Sequence, residues 1–437
     1  MQLYSTNNKS LQVSFKEALF QGLPIDNGLF MPLNIPEIPK EVITQLDKYE
    51  FQEIAFQVAK ALLNGEIPDD DLKKIIDAAV SFPAPVNMLD EQTAVLELFH
   101  GPSLAFKDFG ARFMAKTMAY FNQKTDKDLI ILVATSGDTG GAVAAGFHQT
   151  PGIQVVILYP SGKVSPLQEK QLTTLGHNIH AFEVNGTFDD CQALVKQAFL
   201  DQTLRDEIKL SSANSINIAR LIPQIFYYWE AYKQVYKKGK PVVFVVPSGN
   251  FGNLTAGLIA QKMGLPVQHF VAATNANDIV PDYLSSGKYN PRPSVPTLSN
   301  AMDVGNPSNF VRIMDLYSST WNIVKSHISG YAFSDTETEN AIQQIYHTHN
   351  YIMDPHGAVG YLAWEKYREE FQTEALGIIF ETAHPAKFLE EVERILGQKI
   401  KIPESLQSIQ TKDKKSTPIE VNYLEFKNQL LKSFKTK

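Results

Sequence analysis

Short apolar segments that alternate with helical patterns constrain the fold of this chain more than any other feature. Each segment has the length of a buried strand, and most are followed by apolar residues at helical spacing. Strands that alternate with helices in this way form parallel βαβ units. The pattern therefore predicts an α/β protein with open, mostly parallel sheets. The segments are LIILVAT, IQVVILY, IHAFEV, VVFVVP and ALGIIFE.

The chain divides into regions with different patterns. Residues 49–63 and 69–82 have apolar residues three and four positions apart, which is typical of amphipathic helices. The polar segment YKKGK at 236–240 separates two series of strands, so we expect two α/β domains. The expected regions are a mainly helical N-terminal region at 1–90, a large domain at 91–123 and 236–400, a small α/β domain at 124–235, and a peripheral C-terminal tail at 401–437.

Composition excludes several classes of function for this chain. The formal net charge of −7 gives no general attraction to nucleic acid or to an anionic membrane. Cys191 is the only cysteine, so neither an intramolecular disulfide nor a cysteine zinc site can form. No apolar run has the length of a membrane span, and no signal-peptide pattern is present. We expect a cytoplasmic protein that binds a small molecule and neither nucleic acid nor membrane; its oligomeric state stays open.

Two polar loops follow predicted strands and lead into predicted helices. They are ATSGDTGGA at 134–142 and VPSGNFGNLTAG at 246–257. Their small residues allow backbone N–H groups and a helix N-terminus to converge on an anion, with the hydroxyls of Ser136 and Thr139 in support. Glycines that only close tight turns explain either loop taken alone. Together the two loops favour a site for two anionic groups.

The known nucleotide and metal motifs are absent. The chain has no G-x-G-x-x-G, and GKVS at 162–165 lacks the upstream glycine and the adjacent hydroxyl of a P-loop. It has no H-E-x-x-H, and His347 and His349 are spaced to point apart on a helix. We therefore expect no dinucleotide, ATP or metal site. A long loop rich in Pro, Ser and Asn at 285–310 is expected to lie over a functional site.

One lysine, Lys107, stands between Phe106 and Phe109, shortly after the Gly-Pro turn signal at 101–102. Aromatic surroundings remove water from an ammonium group, lower its pKa and favour the neutral amine, which attacks carbonyl compounds. A lysine that lays its stem on an apolar face and keeps its charge in water is the commoner arrangement. The residues around Lys107 leave both arrangements open.

Thr382 follows the last predicted strand, in IIFETAHPAKF, and Pro385 suits the first turn of a helix after it. Open α/β sheets bind ligands in the crevice at the carboxyl ends of their strands. The Thr382 hydroxyl is therefore a candidate for ligand contact. A local turn or a helix cap explains a lone threonine here equally well.

Five segments jointly resemble the threonine synthase family, which are pyridoxal-phosphate enzymes of fold type II. They are HGPSLAFKD, ATSGDTG, SANSINIAR, SGNFGN and ETAHPAKF, and the opening residues 4–32 are also similar to that family's N-terminal region. The resemblance covers nearly the whole chain. It implies that the large domain binds pyridoxal 5'-phosphate and that the small domain lies on the substrate side. The implied reaction converts O-phospho-L-homoserine and water to L-threonine and phosphate, by γ-elimination and β-addition of water.

The resemblance also implies roles for single residues. Lys107 forms the Schiff base with the cofactor and transfers protons, and Thr382 meets the pyridine nitrogen. Asp138 lies near the cofactor's phenolic oxygen, although some relatives have Asn at this position. The residues implied to hold the cofactor phosphate are Ser248, Gly249, Asn250, Phe251, Gly252 and Asn253. Those implied to receive the substrate carboxylate are Ser136, Gly137, Asp138 and Thr139.

A second phosphate pocket is needed for the leaving group of this reaction. Lys163, after the strand IQVVILYP, and Asn217 with Arg220, in SANSINIAR, are the candidates. An arginine offers a bidentate fork and a lysine a point charge. A solvated loop lysine and a helix-surface arginine are the alternatives for Lys163 and Arg220.

Other functions remain compatible with these residues. Another fold type II lyase, such as a threonine dehydratase, would share the cofactor site, but it has no substrate phosphate for SANSINIAR and Lys163 to bind. A catalytically silent homologue that binds phosphorylated amino acids would not need Lys107. A module that only senses anions would bind no coloured cofactor.

Overall fold

The N-terminal region combines a small antiparallel sheet with helices, in a computed structural model that describes residues 1–122 and 128–434. Its elements are β1 (Gln2–Ser5), β2 (Gln12–Ser14), α1 (Phe15–Gln21), β3 (Phe30–Pro32), α2 (Lys40–Thr44), α3 (Phe51–Leu63) and α4 (Asp69–Ala79). α3 and α4 confirm the two expected helices, and each buries its apolar face. β1 pairs with both β2 and β3, in a sheet that the sequence did not indicate.

Helices and strands alternate through the rest of the chain, as the apolar segments predict. From residue 86 to 235 the elements are β4 (Val86–Met88), β5 (Thr93–Glu97), α5 (Lys107–Asn122), β6 (Leu129–Ala134), α6 (Asp138–Phe147), β7 (Ile153–Pro160), α7 (Pro166–Thr173), β8 (Ile179–Val184), α8 (Phe188–Leu200), α9 (Gln202–Glu207), β9 (Lys209–Ser212), α10 (Ile218–Leu221) and α11 (Gln224–Val235). From residue 242 to 434 they are β10 (Val242–Pro247), α12 (Gly252–Lys262), β11 (His269–Thr274), α13 (Ile279–Ser286), α14 (Phe310–Leu316), α15 (Trp321–His327), β12 (Ile328–Ala332), α16 (Asp335–His349), α17 (Pro355–Phe371), β13 (Leu376–Glu381), α18 (Leu389–Leu396), α19 (Glu404–Gln410), β14 (Thr417–Ile419) and α20 (Tyr423–Phe434).

The large sheet has six strands in the order β12-β11-β10-β13-β5-β4. All neighbours are parallel except β4 and β5, which confirms an open, mostly parallel sheet. β10, β13 and β5 lie side by side, so the segments that leave them emerge at one carboxyl edge. Those three segments contain residues 248–253, Thr382 and Lys107.

The small sheet has five parallel strands in the order β14-β8-β7-β6-β9. β6 and β9 are neighbours, and the segments that follow them contain residues 136–139 and 217–220. α5 packs against α6, and the first residues of these helices are Lys107 and Asp138. The packing of the two helices therefore brings the site residues of the large and small sheets together.

The C-terminal tail contributes to the small sheet. β14 pairs in parallel with β8, while α19 packs on α7 and α20 on α8. The boundary expected between residues 123 and 124 lies outside the described residues, as do residues 435–437 of the expected tail. The domain divisions themselves stay predictions.

In the described ranges no helix is long and apolar enough to cross a membrane.

Replacing Phe426 with Ala is expected to destabilise the protein. Phe426 of α20 is fully buried and packs edge-on against Phe182 of β8, with ring centroids 5.9 Å apart. The cavity should lower the free energy of unfolding by about 3–5 kcal/mol. Leu424 of the same helix is 69% exposed, so Leu424→Ala should cost less than about 0.5 kcal/mol. Urea unfolding of both variants measures the difference, and equal stabilities would show that the tail is merely peripheral.

Candidate active site

Backbone pairing places Lys107 beside Thr382. The Phe106 N–H donates to the carbonyl of Thr382 at 2.9 Å, and Ala105 forms an isolated bridge with Ala383. The segment after β5 is thereby held against the segment after β13. Thr382 is 6% exposed, directly beyond the last residue of its strand.

The Lys107 side chain is largely buried, with 16% of its surface exposed. Its Nζ lies 5.5 Å from the ring centroid of Phe106, whereas Phe109 turns into the core against Phe82 and Tyr227. Burial lowers the pKa of Lys107, and the charges of Lys387 and Arg220 lower it further, against the opposing effect of Asp138. The neutral amine is therefore favoured, as the sequence predicts for a reactive lysine.

The Asp138 carboxylate lies between two lysines. Its Oδ2 is 3.5 Å from Lys107 Nζ, and its Oδ1 is 2.6 Å from Lys387 Nζ. Gln168 Nε2 also donates to Oδ1, at 2.9 Å. Burial alone would raise the pKa of Asp138, but the charges of Lys387 and Lys107 outweigh it and hold this pKa far below its ordinary value. Asp138 is thus a fixed anion.

Lys387 is a site residue that sequence reasoning missed. It is 1% exposed and also donates to the carbonyl of Ser103, at 2.9 Å. A single 3-10 turn, Pro385–Phe388, directs it back toward the carboxyl edge of the sheet. The segment ETAHPAKF contains this lysine. A proline-initiated turn directly after a strand is the sequence signal that could have identified it.

The loop at 135–139 presents backbone donors. Thr135 Oγ1 accepts from the N–H groups of Gly137, at 3.0 Å, and Gly140, at 2.9 Å, which folds the loop over that hydroxyl. Gly137 has a φ of 141°, and a Cβ there would approach Gln168 Oε1 to 2.7 Å, so glycine is required. Among the described residues, the N–H groups of Ser136, Asp138 and Thr139 have no acceptor. These free donors fit an anion.

The loop at 248–253 presents a longer series of donors. The five consecutive N–H groups from Gly249 to Asn253 find no acceptor in the described part of the chain. They lead into α12, whose N-terminus adds its dipole. The polar side chains shape the loop: Asn253 Nδ2 donates to the Pro247 carbonyl at 2.7 Å, and Ser248 Oγ donates to the Val246 carbonyl at 3.0 Å. The donor set is therefore mainly backbone.

The three candidates for the second phosphate pocket have different surroundings. Arg220 is 3% exposed, donates to the Ala213 carbonyl through Nη1, and keeps an Nε without a partner in the described residues. Burial lowers the pKa of Arg220 to about 10. It is therefore a buried arginine and not the helix-surface arginine of the alternative.

Asn217 and Lys163 are placed less favourably. Asn217 is fully buried; its Oδ1 accepts from the Ala219 N–H and its Nδ2 donates to the carbonyls of Leu19 and Ser212. All of its amide groups are thus used within the fold. Lys163 is exposed in the turn after β7; hydrogen bonds from Thr187 lower the pKa of Asp190, and the Lys163 charge lowers it further.

A group of buried acids lies behind the site and was not predicted. Glu381, which precedes Thr382, accepts from the Asp354 N–H at 2.6 Å, and both carboxyl groups are fully buried. Burial and the charge of Asp354 raise the pKa of Glu381 well above its ordinary value, which favours the neutral form of this carboxyl. Asp354 pairs with His356 Nδ1 at 2.5 Å. Across residues 1–122 and 128–434, no group of side chains is assembled to hold a metal ion.

Comparison with known families finds three matches along the chain. The family described as pyridoxal-phosphate dependent enzyme matches residues 90–380. The family described as threonine synthase N terminus matches residues 2–80, and that described as threonine synthase, C-terminal, matches residues 357–429. Together they cover nearly the whole chain.

Individual proteins are similar over the same extent. A threonine synthase of Serratia marcescens is 48% identical over 93% of this chain and 93% of its own length. The crystal structure of threonine synthase from Escherichia coli matches with a TM-score of 0.92 and 43% identity, over 99% of this chain and 100% of that one. The structure of PLP-bound threonine synthase from Brucella melitensis matches with a TM-score of 0.93 and 33% identity, over 100% of both chains.

Replacing Lys387 and replacing Asp138 should shift the pKa of Lys107 in opposite directions. The Lys387 charge lowers the pKa of Lys107, so Lys387→Gln should raise it, and the free amine should form only at higher pH. Asp138 raises the pKa of Lys107, so Asp138→Asn should lower it. The pH dependence of amine acylation in cofactor-free protein, located at Lys107 by peptide mapping, measures both shifts. Midpoints that move together, or not at all, would contradict this electrostatic account.

Proposed function

The chain belongs to the threonine synthase family of pyridoxal-phosphate-dependent enzymes, and from this premise we propose which of its residues carry the reaction. It is a lyase that converts O-phospho-L-homoserine and water to L-threonine and phosphate, and its cofactor is pyridoxal 5'-phosphate. The observation that supports our assignment is one edge of the large sheet, where the Lys107 amine and the free N–H groups of 249–253 lie on the segments to either side of the Thr382 segment. Full-length similarity to threonine synthases favours this reaction over the dehydratase and over a silent phospho-amino-acid-binding homologue.

The residues of this edge fit the cofactor. Its aldehyde requires a neutral amine, which Lys107 provides because burial lowers its pKa. Its phosphate requires several donors and a helix N-terminus, which residues 249–253 and α12 provide. Thr382 offers a neutral hydroxyl for the ring nitrogen. When bound, the cofactor supplies the electron sink that allows protons to leave the substrate carbons.

Lys107 is proposed to attach the cofactor and to accept and return protons at the substrate. Its neutral amine is the base, and Asp138 stabilises the ammonium that results from proton uptake. Lys387 contacts Asp138 Oδ1, whereas Lys107 lies near Oδ2. Lys387 therefore keeps Asp138 anionic whether Lys107 is charged or neutral. The pair of lysines around one carboxylate therefore allows Lys107 to change charge while the site stays compensated.

The substrate carboxylate is proposed to bind the loop at 136–139 through its backbone. The free N–H groups of Ser136, Asp138 and Thr139 are suitable donors. The Asp138 side chain, in contrast, is held by Lys387 and Gln168. An aspartate is thus tolerable beside a substrate carboxylate, because the Lys387 ammonium compensates its charge.

Thr382 is proposed to meet the ring nitrogen without charging it. A hydroxyl stabilises a protonated ring nitrogen less than a carboxylate would, so more of the proton transfer falls to Lys107. The neighbouring Glu381 is a poor source of that charge, since its raised pKa favours the neutral carboxyl.

Arg220 is proposed to hold the leaving phosphate and then to retain it while water adds. It is buried, and its Nε is without a partner in the described residues. Its charge also lowers the pKa of Lys107, which places the guanidinium within electrostatic reach of the reacting amine. Asn217 and Lys163 stay predicted ligands of the substrate phosphate, although Asn217 uses its amide groups within the fold and Lys163 is exposed. A cytoplasmic location is also proposed, supported by the single cysteine.

The activity of Lys107→Ala tests the assignment of the amine. Wild-type protein incubated with O-phosphohomoserine should release threonine and phosphate in equal amounts. Lys107→Ala should reduce turnover by at least about 10²–10⁴-fold, the usual contribution of a positioned proton-transfer group. Lys288, which is exposed, provides the control Lys288→Ala with wild-type turnover. Borohydride reduction of the loaded enzyme should label Lys107; a label on another lysine would refute the assignment.

Arg220→Ala tests the phosphate pocket. Loss of a buried charge that pairs with an anion costs about 2–5 kcal/mol, so kcat/KM for threonine formation should fall by about 30- to 5,000-fold. Early release of phosphate should divert part of the turnover to 2-oxobutyrate. Arg205→Ala, at an exposed position of α9, is the control, and thermal melting confirms folding. Wild-type kcat/KM without any keto acid would place Arg220 outside the pocket.

A further inference from the structure

A buried guanidinium next to the 248–253 loop lacks an acidic partner. Arg312 of α14 is fully buried, and it donates from Nε to the Phe30 carbonyl at 3.1 Å and from Nη2 to the Ile216 carbonyl at 2.7 Å. Its Nη1 donates to Asn309 Oδ1. In the described residues it forms no ion pair, and burial lowers its pKa to about 9. A buried cation without a counter-ion is costly, so an anion from outside the chain would compensate it.

The Asn309 amide has a donor that nothing in the fold uses. Asn309 is fully buried, and its Nδ2 has no hydrogen-bond partner in the ranges that the structure describes. Because a guanidinium only donates, the amide atom that faces Arg312 must be Oδ1, and the orientation of Nδ2 follows from it. A buried donor without an acceptor costs about 1–3 kcal/mol, so an acceptor is expected there.

The free donor lies at the 248–253 loop. The Asn309 N–H donates to the Asn250 carbonyl at 3.2 Å, and a Cβ built on Gly252 would be 3.4 Å from Asn309 Nδ2. Gly252 is the first residue of α12, where the free N–H groups of 249–253 converge. Asn309 precedes α14 but makes no side-chain cap bond to it, so helix capping does not explain the residue.

We propose that Asn309 Nδ2 is a further hydrogen-bond donor to the anion held by residues 249–253, and that Arg312 is a positioning residue that orients this amide and supplies positive charge behind it. The inference rests on the proposed function, in which that anion is the cofactor phosphate. The loop at 285–310, which was expected to lie over a functional site, contains Asn309 and would thereby contribute a ligand contact. Because Arg312 also holds the carbonyl of Ile216, it connects the cofactor phosphate to the segment that leads to Arg220.

The experiment compares pyridoxal phosphate with pyridoxal, which lacks the phosphate. Cofactor-free protein is titrated with each compound, and the ratio of the two dissociation constants isolates the contribution of the phosphate. Asn309→Asp keeps the oxygen that Arg312 binds but replaces the donor by a negative oxygen. The preference for the phosphorylated compound should fall at least about tenfold, while pyridoxal binding stays unchanged. Asn306→Asp makes the same change at an exposed position three residues away and should keep the wild-type ratio.

Two further variants keep the test decisive. Asn309→Ala removes the donor without adding charge, and it should lower the ratio severalfold even if Asn309→Asp folds poorly. Arg312→Lys keeps the charge but loses the fork, so the ratio should also fall. A wild-type ratio in folded Asn309 variants would refute the proposed role of Asn309 and leave the proposed phosphate site standing. A wild-type protein without any preference for the phosphorylated compound would overturn the proposed phosphate site itself, and this inference with it.

Discussion

The Asp138 carboxylate, held between Lys107 and Lys387, is the interaction on which the rest of the site depends. It joins three elements that are distant in sequence: the first residue of α5, the first residue of α6 and the turn after β13. Burying the charged pair of Asp138 and Lys387 beside the Lys107 amine is favourable only when each group keeps its partners, so the two sheets must approach closely enough to hold the three groups together. The packing of α5 on α6 meets that requirement. The same arrangement leaves Lys107 as the group whose charge can change, because Lys387 alone keeps Asp138 compensated.

Around this centre the chain separates binding from proton transfer. The anions are assigned to backbone N–H groups in two loops. These groups do not gain or lose protons during the reaction. Proton transfer is assigned to one buried amine. The raised pKa of Glu381 and the uncharged Thr382 hydroxyl limit negative charge at the far edge, while Arg220 and Arg312 are the proposed positive charges near the two expected phosphates. In the described residues Arg220 Nε and Asn309 Nδ2 have no partner, and the proposals give each of them an anionic ligand as acceptor.

The sequence predicted the parts of this arrangement that local patterns determine. Continuous apolar runs identified β6, β7, β8, β10 and β13, and small polar residues after them identified both loops and Thr382. The short or less apolar strands β5, β9 and β14 were not identified, because their stability comes from sheet neighbours. Lys387, Gln168 and Asn309 reach the site through long-range packing that no spacing rule encodes. Asn217 was assigned to a ligand, yet its amide groups all bind within the fold.

A crystal structure of this chain grown with pyridoxal phosphate would show whether Lys107 attaches the cofactor while residues 249–253 hold its phosphate. We expect continuous density from Lys107 Nζ to the cofactor's aldehyde carbon, with phosphate oxygens about 2.7–3.2 Å from the N–H nitrogens of 249–253. It also predicts that Asp138 still contacts Lys387 when Lys107 is bonded to the cofactor. A cofactor attached to a different lysine, or a phosphate bound away from the N-terminus of α12, would contradict it.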